Sequence, residues 1–95
     1  MALLIINHVV GDYDTFEQVF LDDQPRRRRA GCQSARVYRL ADDPGNVRVV
    51  LEFATAQQAR DHAEGLELRE AIKWATGNVS MPSFEVLEHM MHTDA

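Results

Sequence analysis

Of all the sequence features, a nearly continuous apolar run at the start of the chain most strongly restricts the folds that the chain can adopt. Residues 3–10 are all Leu, Ile or Val except Asn7 and His8. The run is too short to cross a bilayer, and its branched residues favour a buried strand. Because apolar residues stand at odd and even positions alike, both faces of this strand need to be covered.

Helical spacing appears directly after this strand. Asp12 is placed to cap a helix in which apolar residues recur every three or four positions: Tyr13, Phe16, Val19 and Phe20. Pro25 does not fit inside a regular helix but fits the first turn of a new one. We therefore expect a restart near 23–24 and a stop at Gly31.

The remaining patterns predict three more strands and a second helical region. Alternation indicates strands at 33–40, 47–53 and 83–89, and the turn formers of 41–46 join the first two in a hairpin. Thr55 and Gln58 have the spacing of a capping box, which opens an alanine-rich helix. Gly65 predicts that this helix has two parts, the second ending near Gly77.

The resulting order, β-α-β-β-α-β, predicts a single α+β domain over residues 1–95 with a ferredoxin-like fold. Its four antiparallel strands carry two helices on one face of the sheet. Two helices cannot cover the second face, and a domain of 95 residues has a small core. A second copy packed sheet to sheet would cover that face, so we expect a homodimer.

Composition narrows the classes of function. Hydrophobic residues make up 45% and charged residues 26%, as in ordinary globular domains. A net charge of −5 argues against a nucleic-acid surface, and residues 26–29, four arginines, are interpreted as a solvated last helical turn. The single Cys32 cannot form an internal disulfide. We expect a cytoplasmic protein without a membrane segment.

His8 is the candidate catalytic residue, because it interrupts an apolar strand near its end. An imidazole there can accept a proton or hydrogen-bond to a substrate oxygen. Four aromatic residues are candidates for substrate contacts: Tyr13, Phe16, Tyr38 and Trp74. A structural role in the core is open for His8, Tyr13, Phe16 and Trp74. His62 is interpreted as a solvated helix residue, and no metal site is predicted.

Several segments together resemble the dimeric α/β-barrel superfamily, and within it the small proteins related to antibiotic biosynthesis monooxygenases and polyketide cyclases. The segments are 7–13 (NHVVGDY), 37–39 (VYR), 42–47 (DDPGNV), 52–53 (EF) and 66–71 (LELREA). The resemblance implies a two-fold dimer of ferredoxin-like domains. It also implies a cofactor-independent monooxygenase, cyclase or isomerase that acts on a small aromatic or polyketide-like compound.

Two further expectations accompany this resemblance. Haem-degrading relatives use histidine, asparagine and tryptophan, but Asn7 and His8 are neighbours on a strand and point to opposite faces. We therefore expect no haem and no other cofactor. The alternative function is a non-catalytic dimeric module that binds a small hydrophobic ligand, since one fold hosts many functions.

Overall fold

The computed structural model describes residues 1–75 and 82–95, and within the last helix it describes side chains up to Leu66 and that of Arg69. Seven elements follow one another: β1 Ala2–Val9, α1 Tyr13–Asp22, α2 Gln24–Arg29, β2 Ser34–Leu40, β3 Asp43–Phe53, α3 Ala56–Ala75 and β4 Ser83–Glu88. The expected first helical region is divided at Asp23, which ends α1 and precedes α2. The predicted restart is thus confirmed.

The four strands form one antiparallel sheet in the order β2-β3-β1-β4. β1 lies inside the sheet, where Ala2 pairs with Phe53 of β3 on one side and with Glu88 of β4 on the other. β1 is therefore hydrogen-bonded along both edges, and the apolar run occupies an inner position in the sheet. This topology confirms the predicted ferredoxin-like α+β fold.

The core lies between the sheet and α3. Alternate residues of β1 and β3 point toward the helices and are almost fully buried, among them Leu4, Leu51 and Phe53. Ala59 and Ala63 of α3 pack against them. Because alanine is small, the helix backbone lies close to the sheet. Burying one Leu or Phe side chain here contributes about 1.5–3 kcal/mol to folding.

The second face of the sheet is less covered. Leu3 and Ile5 of β1 and Val50 of β3 are half-buried on this side, while Leu87 of β4 is 44% exposed. Polar side chains surround them, and Asn7 donates a hydrogen bond to the Ser83 hydroxyl at 2.9 Å. We call the apolar part of this surface, Leu3, Ile5, Val50 and Leu87, the open face.

The hairpin between β2 and β3 is tighter than expected. β3 begins at Asp43 and not at Val47, so the turn formers Asp43, Pro44, Gly45 and Asn46 belong to the strand. The pairing with β2 shifts between Arg39 and Leu40, but β3 remains bound to β1. The Val10 amide donates to the Gly45 carbonyl at 2.8 Å, which holds this segment in the sheet.

Helix α3 is continuous, so the prediction that it has two parts divided at Gly65 is wrong. A glycine costs only about 1 kcal/mol in a helix interior. Ala63 on one side of Gly65 is buried, and Leu66 on the other side packs against the core. These tertiary contacts hold the helix through a residue that by itself favours a break.

The capping box of α3 provides a test of the fold. Thr55 Oγ1 accepts from the Gln58 amide at 3.1 Å, and Gln58 Oε1 accepts from the Thr55 amide at 3.3 Å. We expect Thr55→Ala to lower the free energy of unfolding by about 1 kcal/mol in urea titrations. Thr93→Ala, in the exposed tail, is the matched control and should leave it unchanged.

Candidate functional site

β1 carries His8 onto the helix side of the sheet. Its side chain follows Ile6 on that face, and it pairs with Val47 of β3. The ring is partly buried and meets Phe16 of α1 edge to face, with centroids 6.3 Å apart and planes at 79°. This edge-to-face arrangement is favourable for two aromatic rings.

Phe16 belongs to an aromatic row along α1. Its ring lies 6.0 Å from that of Tyr13 and 5.8 Å from that of Phe20, which are one turn away in either direction. The start of the helix is held by Asp12, whose carboxylate accepts from the Asp14 amide at 3.1 Å and from Thr15 Oγ1 at 2.7 Å. The bond from Thr15 also lowers the pKa of Asp12.

A cavity of about 380 Å³ lies beside this row, bounded by the sheet and all three helices. That volume falls within the range of small-molecule sites, roughly 300–1,000 Å³. Eight of its lining residues are apolar: Ile6, Phe16, Val19, Phe20, Val49, Leu66, Pro82 and Phe84. The others are charged or titratable: His8, Asp22, Asp23, Arg26, Arg27, His62 and Arg69.

The structure brings some of the predicted site residues together and separates others. His8 and Phe16 both line the cavity, and Tyr13 contacts Phe16 but does not itself form part of the wall. Tyr38 lies on the opposite side of the sheet and is 53% exposed, so it does not join them. Alternation along β2 is the reason, since its neighbour Val37 packs toward the core. The Trp74 side chain lies outside those described.

Arg27 corrects the interpretation of the four arginines as a solvated turn. Its side chain is buried, with the guanidinium carbon 3.7 Å from the centre of the Phe20 ring. It donates to the Phe20 carbonyl at 2.7 Å, at the end of α1, where this carbonyl also accepts from the Asp23 backbone amide at 3.3 Å. Burial lowers the pKa of Arg27. This arginine clamps α2 onto α1, while Arg28 and Arg29 are exposed as expected.

His62 is the second residue whose sequence interpretation changes. It is half-buried, lines the cavity and lies 5.6 Å from the Phe53 ring, centre to centre. The spacing of Ala59, His62, Ala63 and Leu66 places it on the inner stripe of α3, a signal already present in the sequence. Burial lowers the pKa of His62, and Arg26 lowers it further.

The described residues give little support to metal binding or thiol chemistry. Within residues 1–75 and 82–95 no group of three or more His, Cys, Asp or Glu side chains is placed to hold a metal ion. Cys32 is half-buried, its thiol donates to the Ser34 carbonyl at 3.2 Å, and burial raises its pKa. A raised pKa disfavours the reactive thiolate. Among the described residues, no helix has the length and apolarity to span a membrane.

Comparison with known proteins identifies the fold. No family model and no curated protein matches the sequence. A solved structure from Bordetella bronchiseptica superposes with a TM-score of 0.70 at 20% identity, over 95% of this chain and 97% of that one. A second, from Deinococcus radiodurans, gives 0.70 at 15% identity, over 100% and 98%. This chain has their fold. Both are provisionally named antibiotic biosynthesis monooxygenases, the group that the sequence resembles.

The lowered pKa of His62 predicts a pH dependence of stability. Unfolding restores the ordinary affinity of the imidazole for a proton, so the unfolded state binds more protons below about pH 6.5. The stability contributed by neutral His62 is therefore complete above that pH and is lost as the pH falls toward the lower folded-state pKa. We expect Tm to fall on acidification less in His62→Gln than in the unmodified protein. An equal fall in both would contradict this assignment.

Proposed function

We propose that this protein is an enzyme that converts a small aromatic compound in the cavity, with His8 as the proton acceptor. The observation that supports the proposal best is the position of His8, partly buried in an apolar wall against the Phe16 ring. A histidine in that setting can meet an acidic hydrogen of a bound substrate while apolar residues hold the substrate's rings.

Cofactor-independent oxygenation of an electron-rich phenol fits this arrangement. His8 takes the phenolic proton, and the electron-rich anion that remains reduces molecular oxygen at a ring carbon. One oxygen atom becomes a ring carbonyl and the other leaves as water, so that a phenol and O₂ give a quinone and H₂O. The substrate supplies all four electrons. A cyclase or isomerase would begin with the same proton transfer.

The aromatic residues have separate roles in this proposal. Phe16 forms the wall next to His8, and Tyr13 supports Phe16 from the side of the helix start. Trp74 remains a substrate-contact candidate on the basis of sequence alone. Tyr38 lies on the other side of the sheet, so it would contribute to assembly rather than to the substrate site.

Assembly through the open face is the second part of the proposal. Leu3, Ile5, Val50 and Leu87 form an apolar centre there that a single copy leaves partly in water. Arg48 of β3 and Glu85 of β4 flank this centre on either side of β1, with opposite charges. Two copies related by a two-fold axis would pair the apolar centres and place such charges at the rim.

The role of His8 can be tested by oxygen consumption. We expect the protein to accelerate O₂ uptake with at least one member of a panel of electron-rich phenols and polycyclic hydroquinones. His8→Gln should slow that turnover by roughly 100-fold to 10,000-fold, the usual contribution of a positioned base. His92→Gln, whose imidazole meets Asp94 in the exposed tail at 3.1 Å, is the matched control and should retain full activity.

The result separates the enzyme from the alternative, a non-catalytic binding module. If compounds of the panel bind but none is converted, the protein binds aromatic ligands without catalysis. If turnover is found and His8→Gln keeps it, another residue is the base. Circular dichroism of His8→Gln checks that a lost activity does not reflect a lost fold.

Assembly has its own test. Light scattering at micromolar concentration should give twice the chain mass of 10.8 kDa. Ile5→Glu places a charge in the centre of the open face and should shift the mass to that of one chain. Leu21→Glu changes an exposed leucine of α1 and should leave the dimer intact. A single-chain mass for the unmodified protein would contradict the dimer.

A further inference from the structure

The charged side chains of the cavity are gathered on α1, α2 and α3 rather than on the sheet. Arg26, Arg27 and Arg69 lie there with Asp22 and Asp23 and half-buried His62. Three guanidinium groups therefore face two carboxylates, which leaves one positive charge in excess. The whole chain carries a net charge of −5, so this excess runs against its overall charge. We call this part of the cavity the arginine wall.

Internal partners account for only part of the hydrogen-bonding capacity of the arginine wall. Arg26 donates from one terminal nitrogen to Asp23 at 2.6 Å, and Arg27 donates to the Phe20 carbonyl. Asp22 accepts from the Gln18 amide at 3.0 Å. The Arg26 Nε atom is enclosed and has no acceptor among the residues that the structure describes. A guanidinium has five N–H donors, so acceptor oxygens of a ligand would find donors here.

The charges around His62 also favour an anionic ligand in the cavity. Burial is the main cause of the lowered pKa of His62; Arg26, Arg27 and Arg69 each lower it further, and Asp23 opposes them. Arg26 and Arg27 lie on α2, Arg69 lies on the helix of His62, and Asp23 lies at the junction of α1 and α2. A positive potential that disfavours a proton on His62 also favours an anion in the adjoining cavity.

We propose that the cavity selects an aromatic carboxylic acid, with its ring against Phe16 and Val49 and its carboxylate at Arg26 and Arg69. This deepens the proposed function and rests on it for the placement of an aromatic ligand. The flat fork of a guanidinium matches the two oxygens of a carboxylate. Asp22 and Asp23 in the same wall argue against a doubly charged phosphate, because only one positive charge is in excess.

Calorimetric titration with a matched pair of probes tests this selection. 1-Naphthoic acid is ionised at neutral pH, and 1-naphthamide has nearly the same shape without the charge. We expect the unmodified protein to bind the acid about tenfold more tightly than the amide, as one charge-assisted hydrogen bond would give. Arg26→Gln and Arg69→Gln should each weaken binding of the acid more than binding of the amide, and so reduce the preference for the acid.

Arg28→Gln is the matched control, since it removes the same charge from an exposed position on α2. It should retain the preference for the acid. Loss of the preference in this variant as well would show a general charge effect and overturn the proposal. Should Arg26→Gln unfold because Asp23 loses its partner, Arg69→Gln tests the arginine wall from α3.

Three other outcomes of the titration lead to different conclusions. Equal affinity for acid and amide overturns the selection for an acid but leaves the aromatic cavity of the proposed function standing. No binding of either probe by the unmodified protein overturns both. A preference for the acid that survives Arg26→Gln and Arg69→Gln places recognition elsewhere and overturns this assignment of residues.

Discussion

The pairing of β1 with β3 is the constraint on which the rest of the structure depends. It aligns Leu4 and Ile6 with Leu51 and Val49 and offers α3 one apolar surface. Its consequences reach beyond the core. The same register that buries Leu4 and Ile6 carries His8, two residues further on, to the helix side at the margin of the core. A shift of one residue would turn His8 to the opposite face.

The break between α1 and α2 shapes the cavity that His8 lines. The helical region is interrupted at Asp23, and of the four arginines that follow, Arg26 and Arg27 line the cavity while the other two are exposed. Arg27 then lies over the Phe20 ring and binds its carbonyl. Arg27 thus holds α1 and α2 together at their junction, and its neighbour Arg26 lies in the cavity wall beside Asp23.

The cavity joins two chemical environments in one space. On the side of the sheet, His8 stands among apolar and aromatic residues, where an imidazole and a phenolic ring can meet. On the side of the helices, guanidinium groups exceed carboxylates by one. A ligand that satisfies both has a flat apolar body with one acidic group, so orientation and proton transfer would be set by different walls.

Much of this protein follows from its sequence alone. Alternation of period two assigned the strand faces, helical spacing and the Thr55 box located the helices, and Pro25 marked the break. These signals are local, because each depends on backbone geometry within a few residues. Helical spacing and strand alternation also carried the positions of His62 and Tyr38. The continuity of α3 and the burial of Arg27 were decided by tertiary structure. Each depends on which distant surface meets the residue, and solvent exposure of a charged side chain cannot be assigned before that surface is known.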